Sequence, residues 1–387
     1  MSRKRVLAVC AIVCAIVCAV VCAADCGGQA PAPGRAATAS SGSPSTSSTA
    51  MVTTQWPERR IRPEDAVLQD ASQVLDPAAG VLYALVPPTL ESGNGPYTLQ
   101  AIDLHTGRVR RGTSYPVSGL ALASGYLWVF GSSGRPVLDE VDPRTLAGIR
   151  SLPASATTAV APGPAGSVWV GTARTLLRVS ARTGAVLARV TLPAGLELSD
   201  LAARPGGRNL YASAWRQRPG GIAVLAYSAG SGTLLARSDR APLTWSAGWA
   251  DLTAVPGGVW VWFRTGMLGE SVLLSGRSLS AVAPDPTAPA VPPTAATSPV
   301  TGYGTIYSWP SDSTSAYAGG ALWVATAGGL LACVNPATGK LRAQEVVKSL
   351  QAKPIVTLAA DPPAHQLTAV ISTIGVATIT PPRSCWT

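Results

Sequence analysis

The sequence predicts an all-β protein, a seven-bladed β-propeller whose last blade is completed by an N-terminal strand. Three observations predict this fold. One phrase returns seven times along the chain, the copies are about 40 to 45 residues apart, and most copies contain four strand-like segments. Helical periodicity is nearly absent from residues 60–387, where Val, Thr, Trp and Tyr fill the strand positions.

The repeated phrase is clearest at residues 319–341, where GGALWV is followed by GGLLACV and then by the polar turn NPATGKL. One slot in the second strand holds an aromatic residue in most copies, and successive slots are 45, 41, 42, 49, 63 and 45 residues apart. This spacing is typical of a β-propeller, and a residue that recurs once per blade is expected to pack between sheets. The slot residues are Tyr83, Trp128, Trp169, Tyr211, Trp260, Trp323 and Thr368.

Each copy is predicted to form one small antiparallel sheet. In the second copy the strands are GLALA, YLWVFG, VLDEVD and AGIRSL, which alternate in polarity and are separated by Gly, Pro and Asp. One such sheet cannot bury both of its faces. A closed ring gives every sheet two neighbours, so we expect the copies to close into a circle.

The final copy is incomplete, which predicts how the ring closes. It contains IVTLAAD, LTAVIST and GVATIT but no fourth strand, whereas the segment TTQWPERRIRPEDAVLQ before the first copy has no sheet of its own. Residues from about 52 to 66 are therefore predicted to complete the last blade. The propeller is expected to span residues 52–387, with a Pro-rich insertion at about 283–312.

The N-terminus has the form of an export signal. Met-Ser-Arg-Lys-Arg is followed by 19 uncharged residues, Val6 to Ala24, and then by a Pro/Ala/Ser/Thr-rich stretch. Residues 1–25 are predicted to be a signal peptide or membrane anchor, and residues 26–51 a disordered tether. A membrane span needs about 20 apolar residues, so a retained anchor stays open. In each case the propeller is expected outside the cytoplasm, at the cell surface or secreted.

Five of the seven cysteines lie at positions 10, 14, 18, 22 and 26. The first four are interpreted as small hydrophobic residues, with metal binding or palmitoylation as the alternative. Cys26 precedes Gly-Gly and the tether, which makes it a candidate lipidation site. Asp25 directly precedes Cys26, at a position where a lipobox has a small uncharged residue, so the match to a lipidation site is incomplete. Lipidation of Cys26, cleavage of a plain signal peptide and an uncleaved anchor are therefore all retained as alternatives.

The remaining cysteines, Cys333 and Cys385, are predicted to form a disulfide. Cys333 lies in the third predicted strand of the sixth copy and Cys385 just past the third strand of the seventh, in neighbouring blades, and exported proteins keep disulfides. The bridge would hold the C-terminus beside the strand that closes the ring. Two unpaired thiols are the alternative.

Composition excludes several classes of function. The formal net charge is +10, but the chain has no basic run beyond Arg59, Arg60 and Arg62, so nucleic acid is not an expected partner. The sequence contains no Gly-rich phosphate loop, zinc-ligand spacing or calcium loop, and we expect no cofactor and no metal. The expected state is a monomer.

The copies resemble a known group of proteins. The resemblance rests on Leu-Trp-Val followed by V-D-P-x-T or T-G-K, at 127–129 with 141–145 and at 322–324 with 334–340. On these residues the chain is similar to exported bacterial propellers with YVTN-type, streptogramin-lyase-like or quinoprotein-like repeats, and its layout around Cys26 resembles that of a bacterial lipoprotein. The resemblance covers residues 66–380 and implies the propeller fold, but a fold of this kind hosts many functions.

Two activities found in that group are not expected here. Quinoproteins usually have a further Trp after each Thr-Gly turn, and the matching stretches RVRRGTSYP, AVLARVTLP and KLRAQEVV contain none. Streptogramin lyases need His and acidic residues with a metal, whereas this chain has only His105 and His365, in unrelated turns.

Aromatic residues that break the repeat pattern point to a binding surface. In a propeller, the loops that leave the fourth strand and those between the second and third strands open on one face, here over blades four to six. A binding or scaffolding function for an envelope protein or a carbohydrate is therefore predicted. The alternative is that the insertion packs its own aromatics onto the ring. The candidate residues are Trp215, Trp245, Trp249, Arg264, Tyr303, Tyr307 and Trp309.

Asp200 and Asp251 support a competing hypothesis. They occupy equivalent positions in SDLAARPGG and ADLTAVPGG, at the innermost strands of adjacent blades. This would place two carboxylates near the mouth of the central channel of the ring. Such a pair would suit a lyase or hydrolase, because two like charges held close raise the pKa of one of them, which can then act as an acid or base. The simpler interpretation is an Asp that binds backbone at a turn.

Overall fold

The computed structural model describes the chain from residue 58 to residue 386 with gaps. The described residues are 58–61, 72–76, 78–87, 96–117, 119–133, 135–153, 156–216, 221–238, 249–265, 268–280, 297–299, 305–310, 314–325, 328–339, 341–351, 355–371 and 375–386. Within these ranges the chain forms 29 strands and one short 3₁₀ turn, Arg383–Cys385.

The strands form seven antiparallel sheets, each made from a consecutive stretch of chain except the last. The first strand is β1 (Glu58–Ile61). Blade one contains β2 (Ser72–Asp76), β3 (Val81–Val86), β4 (Tyr97–Asp103) and β5 (Val109–Tyr115); blade two contains β6 (Gly119–Ala123), β7 (Tyr126–Ser133), β8 (Arg135–Val141) and β9 (Gly148–Ser151). Blade three contains β10 (Thr157–Pro162), β11 (Ser167–Thr172), β12 (Thr175–Ser180) and β13 (Val186–Thr191); blade four contains β14 (Leu196–Ala203), β15 (Asn209–Arg216), β16 (Ile222–Ser228) and β17 (Leu234–Ser238).

The later blades depart from this pattern in two places. Blade five contains β18 (Trp249–Val255), β19 (Gly258–Thr265), β20 (Leu268–Ser275), β21 (Thr297–Pro299) and β22 (Thr305–Pro310), in the spatial order β18-β19-β20-β22-β21. Blade six contains β23 (Thr314–Ala318), β24 (Ala321–Ala325), β25 (Gly328–Val334) and β26 (Leu341–Gln351). Blade seven contains β27 (Ile355–Asp361), β28 (Gln366–Ile371) and β29 (Gly375–Ile379), and its fourth strand is β1.

The first strands of the blades form a closed inner ring. Contacts run from β2 to β6, β10, β14, β18, β23 and β27, and from β27 back to β2. This closure gives each sheet a neighbour on both faces. The predicted seven-bladed propeller is confirmed.

The N-terminal strand closes the ring as predicted. Strand β1 pairs antiparallel with β29, with Glu58 opposite Ile379 and Ile61 opposite Val376. These four residues lie within the segment 52–66 that the sequence indicated. The last blade is thus shared between the two ends of the propeller.

The core lies between the blades, where the repeated tryptophans pack. Trp128, Trp169, Trp260 and Trp323 are at most 1% exposed, which confirms their interpretation as packing residues. The indole N–H of Trp169 donates to the carbonyl of Ala229 in the next blade at 2.9 Å. This hydrogen bond satisfies a donor that burial would otherwise leave without a partner.

Adjacent blades are also joined at the turns between third and fourth strands. Arg110 of blade one donates to the Arg144 carbonyl of blade two, and Arg150 of blade two to the Arg182 carbonyl of blade three at 2.8 Å. Arg178 of blade three makes the same kind of bond to the Gly230 carbonyl of blade four. Three arginines therefore contribute hydrogen bonds between neighbouring blades.

In blade five, residues 305–310 form a strand. The sequence interpretation treated the chain up to Trp309 as a loop, because Pro-rich sequence fills the interval after β20. The structure instead places Thr305–Pro310 as the fourth strand of the blade, with Thr297–Pro299 as a fifth at its edge. The alternation in TIYSWP was a strand signal that the neighbouring prolines obscured.

The predicted disulfide is present. Cys333 of β25 and Cys385 after β29 form a bridge with Cα atoms 5.9 Å apart, and both residues are fully buried. The next residue, Trp386, packs on Trp323 with ring centroids 4.9 Å apart. The C-terminal segment of blade seven is thus held against blade six.

Candidate functional site

The predicted binding surface lies at one end of the strands, which we call the upper face. This face carries the connections between blades and the turns between second and third strands. Trp215 lies near the upper end of β15 and is half-buried. Trp249 begins β18, and Arg264 is the residue before the last of β19, so both are at the same end of blade five.

Three of the predicted residues share one row across blade five. The register places Trp249 opposite Arg264, Arg264 opposite Gly269, and Gly269 opposite Trp309. Residues directly opposite one another in an antiparallel sheet lie on the same face of that sheet. The fold thus gathers residues that are up to 60 positions apart in sequence.

The other candidates are placed only in part. Tyr307 lies in β22, two residues before Trp309, opposite Ser271. Trp245 and Tyr303 lie outside the described residues, as do Cys26, the predicted signal segment 1–25 and the predicted tether 26–51. Trp262, a further aromatic residue outside the repeated slot, is 2% exposed and packs with blade six.

Asp200 lies in the middle of β14 and connects two blades. One carboxylate oxygen accepts the N–H of Leu201 at 2.7 Å, and the other accepts the N–H of Leu252, on β18 of the next blade, at 2.8 Å. The pKa of Asp200 is raised to about 7, mainly by desolvation and also by the charge of Asp251, against the lowering effect of the backbone hydrogen bonds from Leu252 and Leu201. A carboxyl group that titrates near neutral pH therefore sits between the inner strands of blades four and five.

The geometry at Asp200 agrees with the simpler of the two sequence interpretations. Both of its oxygens already accept a backbone N–H, although one donor belongs to the neighbouring blade instead of a local turn. Nearby, the buried Ser213 hydroxyl donates to the Ala250 carbonyl at 2.8 Å, a second bond between the same blades. Asp200 thus has a clear structural role at this junction.

The opposite, lower face carries a cleft that the sequence did not predict. It has a volume of about 510 Å³ and lies between blades four and five. Its walls come from the turn between β14 and β15, the turn between β18 and β19, and the turn after β20. Its charged residues are Arg204, Arg208 and Arg277, and they follow no known motif. The only sequence signal is the pair of arginines that flank the Pro-Gly-Gly turn in RPGGR.

Neither a cluster of metal-ligating residues nor a membrane-spanning helix occurs in the described residues. None of their His, Cys, Asp and Glu side chains form a group of three or more that would hold a metal ion. In the same part of the chain, no helix has the length and apolar character needed to cross a bilayer.

The chain is similar to solved structures at low sequence identity. BamB from Moraxella catarrhalis is 15% identical, with 78% of this chain and 79% of BamB covered and a TM-score of 0.45. The computationally designed protein Ika8 is 14% identical, with 81% and 97% covered and a TM-score of 0.49. No protein-family model matches the chain, and no curated protein does. These identities are too low to transfer a function.

Proposed function

We propose that this chain is a binding or scaffolding module that works outside the cytoplasm, with the upper face of blades four to six as its binding surface. The ligand is an envelope protein or a carbohydrate. The observation that carries the proposal is the row in blade five that contains Trp249, Arg264 and Trp309, together with the half-buried Trp215 at the same end of blade four.

Indole and guanidinium groups suit a binding surface. Trp offers a large rigid area at low cost in conformational entropy, and Arg stacks on aromatic rings while it donates hydrogen bonds. Both residue types are enriched among those that dominate the energy of protein interfaces. Trp249, Arg264 and Trp309 also lie outside the repeated slot, so the packing that each blade needs does not explain them.

Two features support a location outside the cytoplasm. The sequence begins with a basic segment followed by an uncharged apolar one, and the folded domain contains the Cys333–Cys385 bridge. Disulfides persist in oxidising compartments and are rare in the cytosol. Lipid attachment at Cys26, or retention of residues 1–25 as an anchor, would hold the ring at a membrane.

The test compares Trp249→Ala/Trp309→Ala with the parent chain in two binding assays. One assay measures co-sedimentation with purified cell-wall polysaccharide, and the other measures recovery of proteins from solubilised membranes, identified by mass spectrometry. Loss of two aromatic anchors should weaken binding at least about tenfold in the assay that contains the true ligand. The matched control is Tyr126→Ala, a half-buried aromatic at the lower end of β7.

Thermal unfolding followed by circular dichroism shows whether each variant is folded. A folded double variant that binds as well as the parent chain in both assays would refute the proposed surface. Loss in the polysaccharide assay alone would identify a carbohydrate ligand, and loss in the membrane assay alone would identify a protein.

The alternative, a lyase or hydrolase that uses Asp200 and Asp251, has less support. The raised pKa of Asp200 suits a general acid or base. Both oxygens of Asp200 nevertheless accept backbone hydrogen bonds, so a substrate would have to displace one of them. Retained structure with loss of a measured activity in Asp200→Asn would favour this alternative over a binding module.

A further inference from the structure

We infer that the lower cleft between blades four and five binds a phosphate group of a ligand. This site lies at the end of the sheets opposite the proposed binding surface, and the inference does not depend on that proposal. Its basis is a set of cationic and hydrogen-bond donating side chains with no balancing carboxylate.

Three arginines line the cleft. Arg204 and Arg208 flank the turn between β14 and β15 of blade four, and Arg277 follows β20 of blade five. Among the described residues, none of the three has an ion-pair partner, and the described lining of the cleft includes neither Asp nor Glu. Three unbalanced positive charges in a concave site attract anions.

Arg204 is held in place by an aromatic ring. Its Cζ atom lies 5.1 Å from the ring centroid of Tyr317, which belongs to the inner strand of blade six. Such a cation–π contact fixes the guanidinium while it leaves the N–H groups at the rim of the plane able to donate. Arg208 and Arg277 are exposed, and they can move to meet a ligand.

The floor of the cleft supplies a buried donor. Asn209 donates to the hydroxyl of Tyr211 at 3.1 Å and to the carbonyl of Gly276 at 3.1 Å. Because the Tyr211 hydroxyl accepts that bond, its own hydrogen is left to donate, and no acceptor for it is found in the described part of the chain. Tyr211 is 4% exposed, and burial raises the pKa of its phenol, so the proton stays in place at neutral pH.

Glycine keeps the wall beside this hydroxyl open. A Cβ atom at position 276 would lie 2.7 Å from the Tyr211 oxygen and 3.2 Å from the Asn209 amide nitrogen. A side chain at this position would force the Tyr211 hydroxyl to shift and would crowd the Asn209 amide. The Gly276 N–H donates to the Gly257 carbonyl at 2.6 Å, which fixes the two turns of blade five against each other.

These donors match phosphate better than a lone carboxylate. Guanidinium groups bind phosphate oxygens in a bidentate fashion, and three of them exceed the single charge of a carboxylate. The volume of about 510 Å³ is in the range of small-molecule sites, so the cleft has room for an organic group attached to the phosphate. A soluble phosphate ester and a lipid headgroup share this chemistry.

The test measures binding of inorganic phosphate and pyrophosphate to the purified full-length chain by calorimetry at low salt. Arg208→Gln/Arg277→Gln should weaken binding at least about tenfold, since two charge-assisted contacts are lost. The control variant, Arg182→Gln/Arg189→Gln, removes two exposed arginines from blade three and should change affinity less than about twofold. Tyr211→Phe, which keeps the ring and removes only the hydroxyl, should weaken binding several-fold.

Sedimentation with vesicles identifies the source of the phosphate. Binding to phosphatidylglycerol vesicles but not to phosphatidylcholine vesicles, lost in the cleft variant alone, would identify an anionic lipid headgroup. Binding of the soluble phosphates without vesicle binding would identify a soluble ester.

Three outcomes would overturn the inference. They are no binding in either arm, equal loss in the cleft and control variants, and full binding by a folded cleft variant. Trp249→Ala/Trp309→Ala should bind phosphate normally, which separates failure of this inference from failure of the proposed upper surface.

Discussion

The bridge between Cys333 and Cys385 should account for a large part of the stability of the ring. The perturbation is its removal, by Cys333→Ala, by Cys385→Ala, by both changes together, or by a reductant added to the parent chain. The bridge joins blades six and seven at the point where the chain ends, and both sulfur atoms are buried.

The expected cost follows from the loop that the bridge closes. The two cysteines are 52 residues apart, and closing a loop of that length lowers the entropy of the unfolded chain by an equivalent of about 4 kcal/mol at 25 °C. For a domain of about this size, the thermal midpoint should fall by about 6 °C. Each Cys→Ala change adds about 1 kcal/mol for the small cavity that it leaves.

The assay is urea unfolding followed by Trp fluorescence, with and without reductant. Either single variant should lose about 5 kcal/mol of unfolding free energy, about 4 from the lost bridge and about 1 from the cavity, and the double variant should lose only about 1 kcal/mol more. The double variant should not respond to reductant. A parent chain whose midpoint is unchanged by reduction, or single variants whose costs simply add, would refute the reasoning.

Three other predictions concern blade contacts. Burial raises the pKa of Asp200 from 3.8 to about 7, so the free energy of unfolding should fall as pH rises from about 4 to about 7. The Asp200→Asn variant should show a smaller fall over this pH range. Urea titrations that give the same pH dependence for the variant and the parent chain would contradict this prediction. The Arg150 guanidinium lies 2.8 Å from the fully buried Glu140 carboxylate, so Arg150→Gln should cost about 3 kcal/mol at neutral pH. Because burial also raises the pKa of Glu140, that cost should shrink in acid, where the carboxyl is protonated; a cost independent of pH would count against it. Deleting residues 1–61, which removes β1, should lower the thermal midpoint, whereas deleting residues 1–51 should not; equal midpoints would show that β1 contributes little.

Most of the fold was predictable because the repeat encodes it locally. Trp128 and Trp169 mark second strands, and Thr-Gly turns mark the ends of third strands. The strands of each blade can therefore be assigned from its own copy of the repeat. Closure was predictable because blade seven has only three strands after residue 354. Blade five was the exception, since 29 residues separate the end of β20 from the start of β22 and a contiguous repeat signal no longer connects them.

The candidate sites were less predictable, because they depend on contacts between blades. The residues of the upper row in blade five are brought together by the pairing register of its strands. In the sequence, Trp249 and Arg264 could be recognised only as departures from the repeat. The lower cleft needs blades four and five to pack side by side before Arg208 and Arg277 line the same cavity. Asp200 was noticed as a carboxylate near the channel, but its bond to Leu252 depends on the same packing.

Strand β1 also determines how mechanical force enters the ring. Any pull on the chain before Glu58 reaches the propeller first through the hydrogen bonds between four residues of β1 and their partners on β29. From β29 the chain runs directly to Cys385, whose covalent link carries tension onward to blade six. The hydrogen bonds between β1 and β29 should therefore break first when a tethered ring is pulled, whereas the segment after β29 is held to blade six by a covalent bond.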